Sequence, residues 1–454
     1  MRTSTFTVVA LLSPAAVYAQ LGGLSGGSGA APAAYGNGAQ PIPTYAGTTG
    51  PSNVLLVSVN SVVSYNSNVL RINNSQMGDE LLGLGPRIAF FEQHGPAGIE
   101  IDYQPYFQFY QHLTQYNMVN QVLNANATFS LGAHWSFQVR DAFSDQTGTF
   151  QTGPGQPLVP GLGGPTALNA NIYSPLAAQR SNNSRADLIY RRSSRTSVSF
   201  FGGYNKRTIS DQPTGVESLL NTVGYASGLQ YSYRLSDHAT FGTLYTFQVL
   251  QYFGNVPVGY PSRTVTHSAI FSLAWKATPS VSLQVFGGPQ YLPPHQLVTD
   301  PSTGSAPANT KAPGLWSWAA GGSLAKTTEK TTFQLAGGRA VSDGGGLVTT
   351  VTNTYATLGV NRRLIRRWSA SWNATGSENT TLDYGFGTGK INSLSATAGL
   401  DHPLTEQLDA RLSYTFTRQY STGVVPFGAG LNSFNNSIVS LTISYRLPKI
   451  PLGR

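Results

Sequence analysis

From about residue 84 to the C-terminus, one unit recurs along the chain. A run of roughly ten residues alternates apolar and polar side chains, and a short polar turn follows. A second alternating run comes next, then a longer loop rich in Gly, Pro, Asn and Ser. The clearest copy spans residues 407–418. There Leu408, Ala410, Leu412, Tyr414 and Phe416 fall on one face, and Asp409, Arg411, Ser413, Thr415 and Thr417 on the other. Successive side chains of a strand point to opposite sides, so this run is a two-faced strand. Its apolar face returns in strand after strand with no helical segment to cover it. That pattern predicts an all-β, antiparallel, up-and-down transmembrane β-barrel, with lipid outside and water inside.

Composition supports this reading. Only 10% of residues are charged, well below the roughly one quarter of ordinary soluble chains. Yet no stretch approaches the ~18 apolar residues of a membrane-crossing helix. A barrel reconciles the two facts, because half of each strand faces lipid and the lumen half is mostly Ser, Thr, Asn, Gln and Gly. Disorder is the competing reading for a chain with 50 Gly and 27 Pro. The sustained period-two aromatic pattern argues against it beyond residue 52.

The N-terminus is read separately. Arg2 followed by the apolar stretch Phe6 to Leu12 and by Val17-Tyr18-Ala19 predicts a signal peptide over residues 1–19, cleaved before Gln20. Residues 20–52 have almost no charge and no periodicity, which predicts a flexible Gly/Pro-rich segment. The barrel is expected over 53–447, with a basic tail at 448–454. The chain has no cysteine, which excludes a disulfide framework, a thiolate metal site and a lipidated N-terminal Cys.

Turn lengths set the strand count. Short connectors fall near 96 and at 132–133, 192–194, 236–237, 277–280, 327–330, 364–366 and 403–407. Long ones fall at 67–83, 111–117, 145–181, 206–219, 253–262, 291–312, 342–347, 378–390 and 421–435, and the two classes alternate throughout. Eight short turns and nine long loops predict 18 strands with both termini on the short-turn side. The first pair, residues 53–66 and 84–93, has the faintest pattern; without it the count is 16. Aromatics mark the strand ends. Trp135, Phe241, Trp275, Phe333 and Trp368 lie beside short turns, as a girdle at the inner interface would.

On these features the chain resembles the bacterial outer-membrane β-barrel proteins, the porin-like group in particular. The final run, NSIVSLTISYRL at 436–447, resembles their C-terminal insertion signal, with Val439, Leu441, Ile443 and Tyr445 on one face. The resemblance implies outer-membrane lipid as surroundings and the barrel-assembly machinery as a partner. It implies passive diffusion of small polar solutes as the activity, and a homo-oligomer is compatible with it. The Tyr-rich hairpin IEIDYQPYFQFYQ is similar to barrels beside polysaccharide-export systems. Polymer export and a structural or adhesive surface barrel therefore stand as alternatives.

An aqueous lumen needs polar lining. The pore-lining candidates are Glu100, Asp102, Gln104, Gln138, Arg140, Arg185, Asp187, Asp409 and Arg411. Amides and hydroxyls dominate the expected lumen face, which suits neutral solutes. The net charge of +9 is concentrated at short turns, from Arg191 and Arg192 to Arg366 and Arg367. There Lys and Arg solvate turns and meet lipid phosphates. They lack the basic-aromatic groove of a nucleic-acid binder. No histidine pair has metal-ligand spacing, and no catalytic constellation or cofactor motif is present. His112, beside Tyr110 and Tyr116, is left as the one histidine that an acidic group on another strand would turn into a reactive pair.

Overall fold

The computed structural model describes residues 53–71, 76–147, 178–210, 220–254, 256, 260–298, 311–344, 350–365, 367–382, 389–423 and 433–452. The signal-peptide and 20–52 expectations lie outside these residues, as does most of the 145–181 loop.

The wall strands are β1 (Val54–Asn66), β2 (Asp79–His94), β3 (Ala97–Tyr110), β4 (Met118–Ser130), β5 (Trp135–Thr147) and β6 (Ala178–Arg191). They continue as β7 (Thr196–Ser210), β8 (Asn221–Arg234), β9 (Ala239–Phe253), β10 (Arg263–Thr278) and β11 (Val281–Leu292). Two short pieces, β12 (His295–Gln296) and β13 (Lys311–Ala312), pair with each other beyond the wall. The wall resumes with β14 (Leu315–Thr327), β15 (Thr331–Asp343), β16 (Thr350–Arg363), β17 (Ser369–Thr381), β18 (Gly389–Pro403), β19 (Leu408–Gly423) and β20 (Phe434–Arg446). Consecutive wall strands pair antiparallel, and β20 returns to β1 from Ser58↔Arg446 to Asn66↔Ile438. The result is a closed barrel of 18 strands. Both β1 and β2 belong to the wall, so the 16-strand alternative is discarded.

Closure satisfies the backbone. A strand edge facing hydrocarbon would leave N–H and C=O groups unpaired at several kcal/mol each. Joining the first strand to the last removes that edge. The chain then adds a short extension: β21 (Ile450–Pro451) pairs with Leu55 and Val54, continuing the closing ladder past Arg446.

Sequence alternation becomes two faces as expected. Leu412 and Tyr414 are 52% and 46% exposed on the outside, whereas Ser413 and Thr415 are each 4% exposed within. Val63, Leu84, Ile101, Phe200, Phe271 and Val439 continue the apolar exterior on other strands. Strands of 12–16 residues exceed the 9–11 needed to cross a bilayer at a tilt, so their ends reach past the apolar band.

The second strand begins at Asp79, five residues before the expected 84. Leu81 and Leu82 are adjacent and interrupt the alternation, yet they occupy opposite faces. Leu81 packs inward with Val69, Tyr110 and Leu113, while Leu82 is half exposed outside. Pro86 and Pro105 also sit inside strands. The β2–β3 ladder breaks between Leu84↔Phe107 and Ile88↔Tyr103, so each proline's missing N–H falls where that ladder is already open.

Several inward aromatics lie directly opposite glycines. Phe201 is paired with Gly228, Phe286 with Gly321, and Tyr355 with Gly338. A Cβ on Gly228 would stand 2.4 Å from the Phe201 ring and 2.4 Å from the Tyr245 carbonyl oxygen. The glycine thus lets the ring lie along the wall instead of projecting into the bore. Gly228→Val is expected to cost about 1–3 kcal/mol, read as a lower urea midpoint for unfolding of the reconstituted barrel.

Candidate functional site

The inner wall of β2–β6 carries a rung of charges and amides within three to seven residues of the short-turn ends of these strands. Arg87 on β2 makes a two-pronged contact with Asp102 on β3, donating from Nη2 to Oδ2 at 2.6 Å and from Nε to Oδ1 at 3.0 Å. Gln104 Nε2 donates to the same carboxylate at 3.1 Å. Glu100 accepts from Asn126 on β4, and Gln138 on β5 donates to Asn126 Oδ1 at 3.0 Å. Asp187 on β6 is shared by two arginines: Arg140 Nη2 reaches it at 2.7 Å and Arg185 Nη2 at 2.6 Å. Strand geometry explains the grouping. Residues two apart share a face, and cross-strand partners lie side by side, as in Glu100↔Asn126, Asn126↔Arg140 and Gln138↔Asp187.

The rung is electrically balanced. Arg87, Arg140 and Arg185 oppose Glu100, Asp102 and Asp187, three charges against three. Asp409 and Arg411 lie elsewhere, beside the short turns of β18–β20. Arg411 Nη1 is 3.5 Å from Asp401 and its Nη2 donates to Ser371 at 3.2 Å. Asp409 pairs with Arg446. The structure therefore places the nine sequence-derived inward residues in two groups. Sequence reasoning missed Arg87, Asp401 and Arg446, the partners that neutralise them. Arg446 closes β20 beside Asp409 on β19, across a long connection whose register the sequence does not reveal.

The opposite half of the inner wall keeps the expected hydroxyls and amides at Thr240, Thr246, Thr266, Ser268, Ser272 and Gln290, but an apolar belt interrupts them. Phe201, Leu244, Ile270, Phe286, Ala319 and Ala340 form a buried apolar belt on β7, β9, β10, β11, β14 and β15. Arg185 marks the boundary, its guanidinium 4.1 Å from the Phe201 ring centroid. Alternation concealed this belt. Runs such as Phe241 to Phe247 are apolar on both faces, so the period-two contrast that identifies a lumen face fades there.

The five girdle candidates all lie beside short turns. Trp135, Trp275 and Trp368 are 41–47% exposed on the outside, and Phe241 and Phe333 are partly exposed. Trp135 packs against Tyr190 at 4.8 Å, and Trp368 stacks on His402 at 4.3 Å. Of the basic turn residues, Arg366 lies outside the described residues.

An acidic partner does approach His112. Asp79 lies 2.9 Å from its Nδ1. The same carboxylate accepts backbone N–H groups from Glu80, Leu113 and His112 at 2.8, 2.8 and 3.0 Å. It is an anchor that ties the 111–117 connection to the start of β2, with the His112 ring largely exposed. Among the described residues, no group of three His, Cys, Asp or Glu side chains is placed to hold a metal.

Fold and inner wall together define a closed 18-stranded β-barrel with an apolar exterior and an inner wall that carries a charged rung on one side and an apolar belt among hydroxyls on the other. No protein-family model and no curated protein matches the sequence. Among solved structures, the chain is similar to OccK2 (OpdF) of Pseudomonas aeruginosa at 7% identity and a TM-score of 0.44, covering 87% of this chain and 98% of that one. OpdQ of the same organism is similar at 12% identity and a TM-score of 0.43, covering 87% and 99%. OccD3 (OpdP), also from that organism, is similar at 11% identity and 0.43, covering 89% and 94%. At identities and TM-scores this low, the likeness adds nothing to what the wall itself shows.

Asp187 holds two arginines in place, so its loss leaves both without their anion. Asp187→Asn is expected to destabilise the barrel by about 1.5–3 kcal/mol, measured by urea titration, with Asn126→Ala closer to neutral.

Proposed function

We propose that the protein is a porin-like channel in the outer membrane of a diderm bacterium, passing small polar solutes by passive diffusion. The observation that carries this reading is the closed 18-stranded wall with an apolar exterior and an inward rung of paired charges. A barrel of this strand number is too wide for side chains to fill and encloses an aqueous path. The rung gives that path a polar surface without a dominant sign. The protein works without a cofactor and carries no enzymatic centre in this reading.

The remaining assignments follow from the same picture. Residues 1–19 direct export, and the exterior meets outer-membrane lipid. Trp135, Phe241, Trp275, Phe333 and Trp368 hold the barrel at the inner interface, where amphipathic rings are favoured. The basic residues at the short turns face lipid phosphates there. The barrel-assembly machinery inserts the chain, recognising its closing strand. Glu100, Asp102, Gln104, Gln138, Arg140, Arg185 and Asp187 line the path at mid-depth, and Asp409 and Arg411 line it near the short-turn mouth.

Planar-bilayer recording of the purified, folded protein tests the reading. Ion conductance is expected, with a cation-to-anion permeability ratio within about threefold of unity, because the rung is balanced. Asp187→Asn should move that ratio toward anions. A folded barrel with no conductance under any condition would leave the structural or export alternatives.

A further inference from the structure

At its outer end β15 parts from β14, while β16 keeps its ladder with β17 as far as Val351↔Thr381. The β14–β15 ladder stops at Ala320↔Arg339, although β14 extends to Leu315 and β15 to Asp343. Residues Leu315 to Ala319 keep only their ladder with β11. Residues Ala340 to Asp343 keep only their ladder with β16. A strand end standing in a barrel wall has one face open to the outside. Here Ala340, Val341, Ser342 and Asp343 are all 6% exposed or less, and Thr350 to Asn353 are 8% or less, so both faces are covered.

The contacts show where the hairpin end has gone. Asp343 meets Arg207 Nη2 of β7 at 2.6 Å, with both side chains 1% exposed. Thr350 donates from its hydroxyl to Thr264 Oγ1 of β10 at 2.8 Å, and Tyr252 Oη of β9 lies 3.0 Å from it. The Val341 N–H, which has no β14 partner, donates instead to Gln290 Oε1 of β11 at 3.0 Å. Val351 packs with Leu220, Leu250 and Tyr252, and Ala340 seats on the apolar belt. These partners belong to the inner wall of strands that are not neighbours of β15. The hairpin end therefore lies across the outer part of the lumen.

Resting on the channel reading above, we propose that the outer ends of β15 and β16, residues 340–343 and 350–353, are a built-in plug for the outer mouth, latched by Arg207 and Asp343 and released when β15 rejoins β14. Two arrangements are open to it. Seated, it has the ion pair, the Thr350 hydroxyl bonds and the Gln290 contact. Returned, it regains β14: continuing the existing register places Ala340 opposite Ala319 and Ser342 opposite Ser317. A buried ion pair suits a latch, because its attraction is largely offset by desolvation and the pair is rehydrated on release. A two-state element of this kind gates by population.

Paired cysteines test the plug. The Thr264 and Thr350 hydroxyls are 2.8 Å apart, so Thr264→Cys with Thr350→Cys places two short side chains within disulfide reach, in a chain with no other cysteine. Oxidation of the folded double variant should form the cross-link and lower bilayer conductance by about tenfold or more, with recovery on reduction. Asp343→Ala, which strands the Arg207 charge, should raise the open fraction several-fold. A cross-link that fails to form in the folded barrel, or forms without lowering conductance, overturns the plug. If the cross-link forms but neither the reduced protein nor Asp343→Ala ever conducts, the channel reading itself fails and the plug's role fails with it.

Discussion

The closing ladder between β1 and β20 is the constraint on which everything else rests. In hydrocarbon an unpaired backbone N–H or carbonyl has no water to turn to. Eighteen strands meet that demand only as a ring. Once the ring exists, the alternation of side chains is forced into an outside and an inside, and each position acquires an environment. Val439 and Leu441 on β20 face outward while Ser440 and Thr442, alternating with them, face inward. The same logic explains why β21 continues the ladder onto Leu55: a chain running past the seam covers the edge it leaves.

Inside the ring, charge is tolerated because it is paired. Each carboxylate of the mid-depth rung lies against a guanidinium or an amide. Asp187 serves two arginines, and the three positive and three negative charges cancel across β2, β3, β5 and β6. The pairing leaves that part of the wall without a dominant sign. The apolar belt on the other half has a different role. Its aromatic rings lie over glycines, and its surface receives the end of β15. The inner wall thus carries a charged rung on one side and an apolar belt set among hydroxyls on the other.

Much of this architecture was legible in the sequence because turn length and period-two alternation are direct consequences of strand geometry. The alternating short and long connectors around His134, Asp237 and Glu406 determine strand number and direction. Inner and outer faces were legible wherever polar and apolar residues contrast, as in 408–417. Legibility ended where that contrast fails. Leu81 beside Leu82 hid the start of β2. Apolar residues on both faces of β9 hid the inner belt. Individual inward residues such as Arg140 and Asp187 were readable, but their shared contact depends on the β5–β6 register, which two strands separated by a long connection do not reveal. The inward turn of the β15–β16 end was also hidden, since residues 340–343 and 350–353 read locally as ordinary strand.

The central claim is that one face of each strand meets lipid while the other meets water. A cysteine-accessibility scan along β19 in the membrane-embedded protein tests it most directly, using a charged, membrane-impermeant maleimide. Cysteines replacing Ser413, Thr415 and Thr417 are predicted to label, and those replacing Leu412, Tyr414 and Phe416 to resist. Uniform labelling, or labelling confined to the second set, would contradict the account.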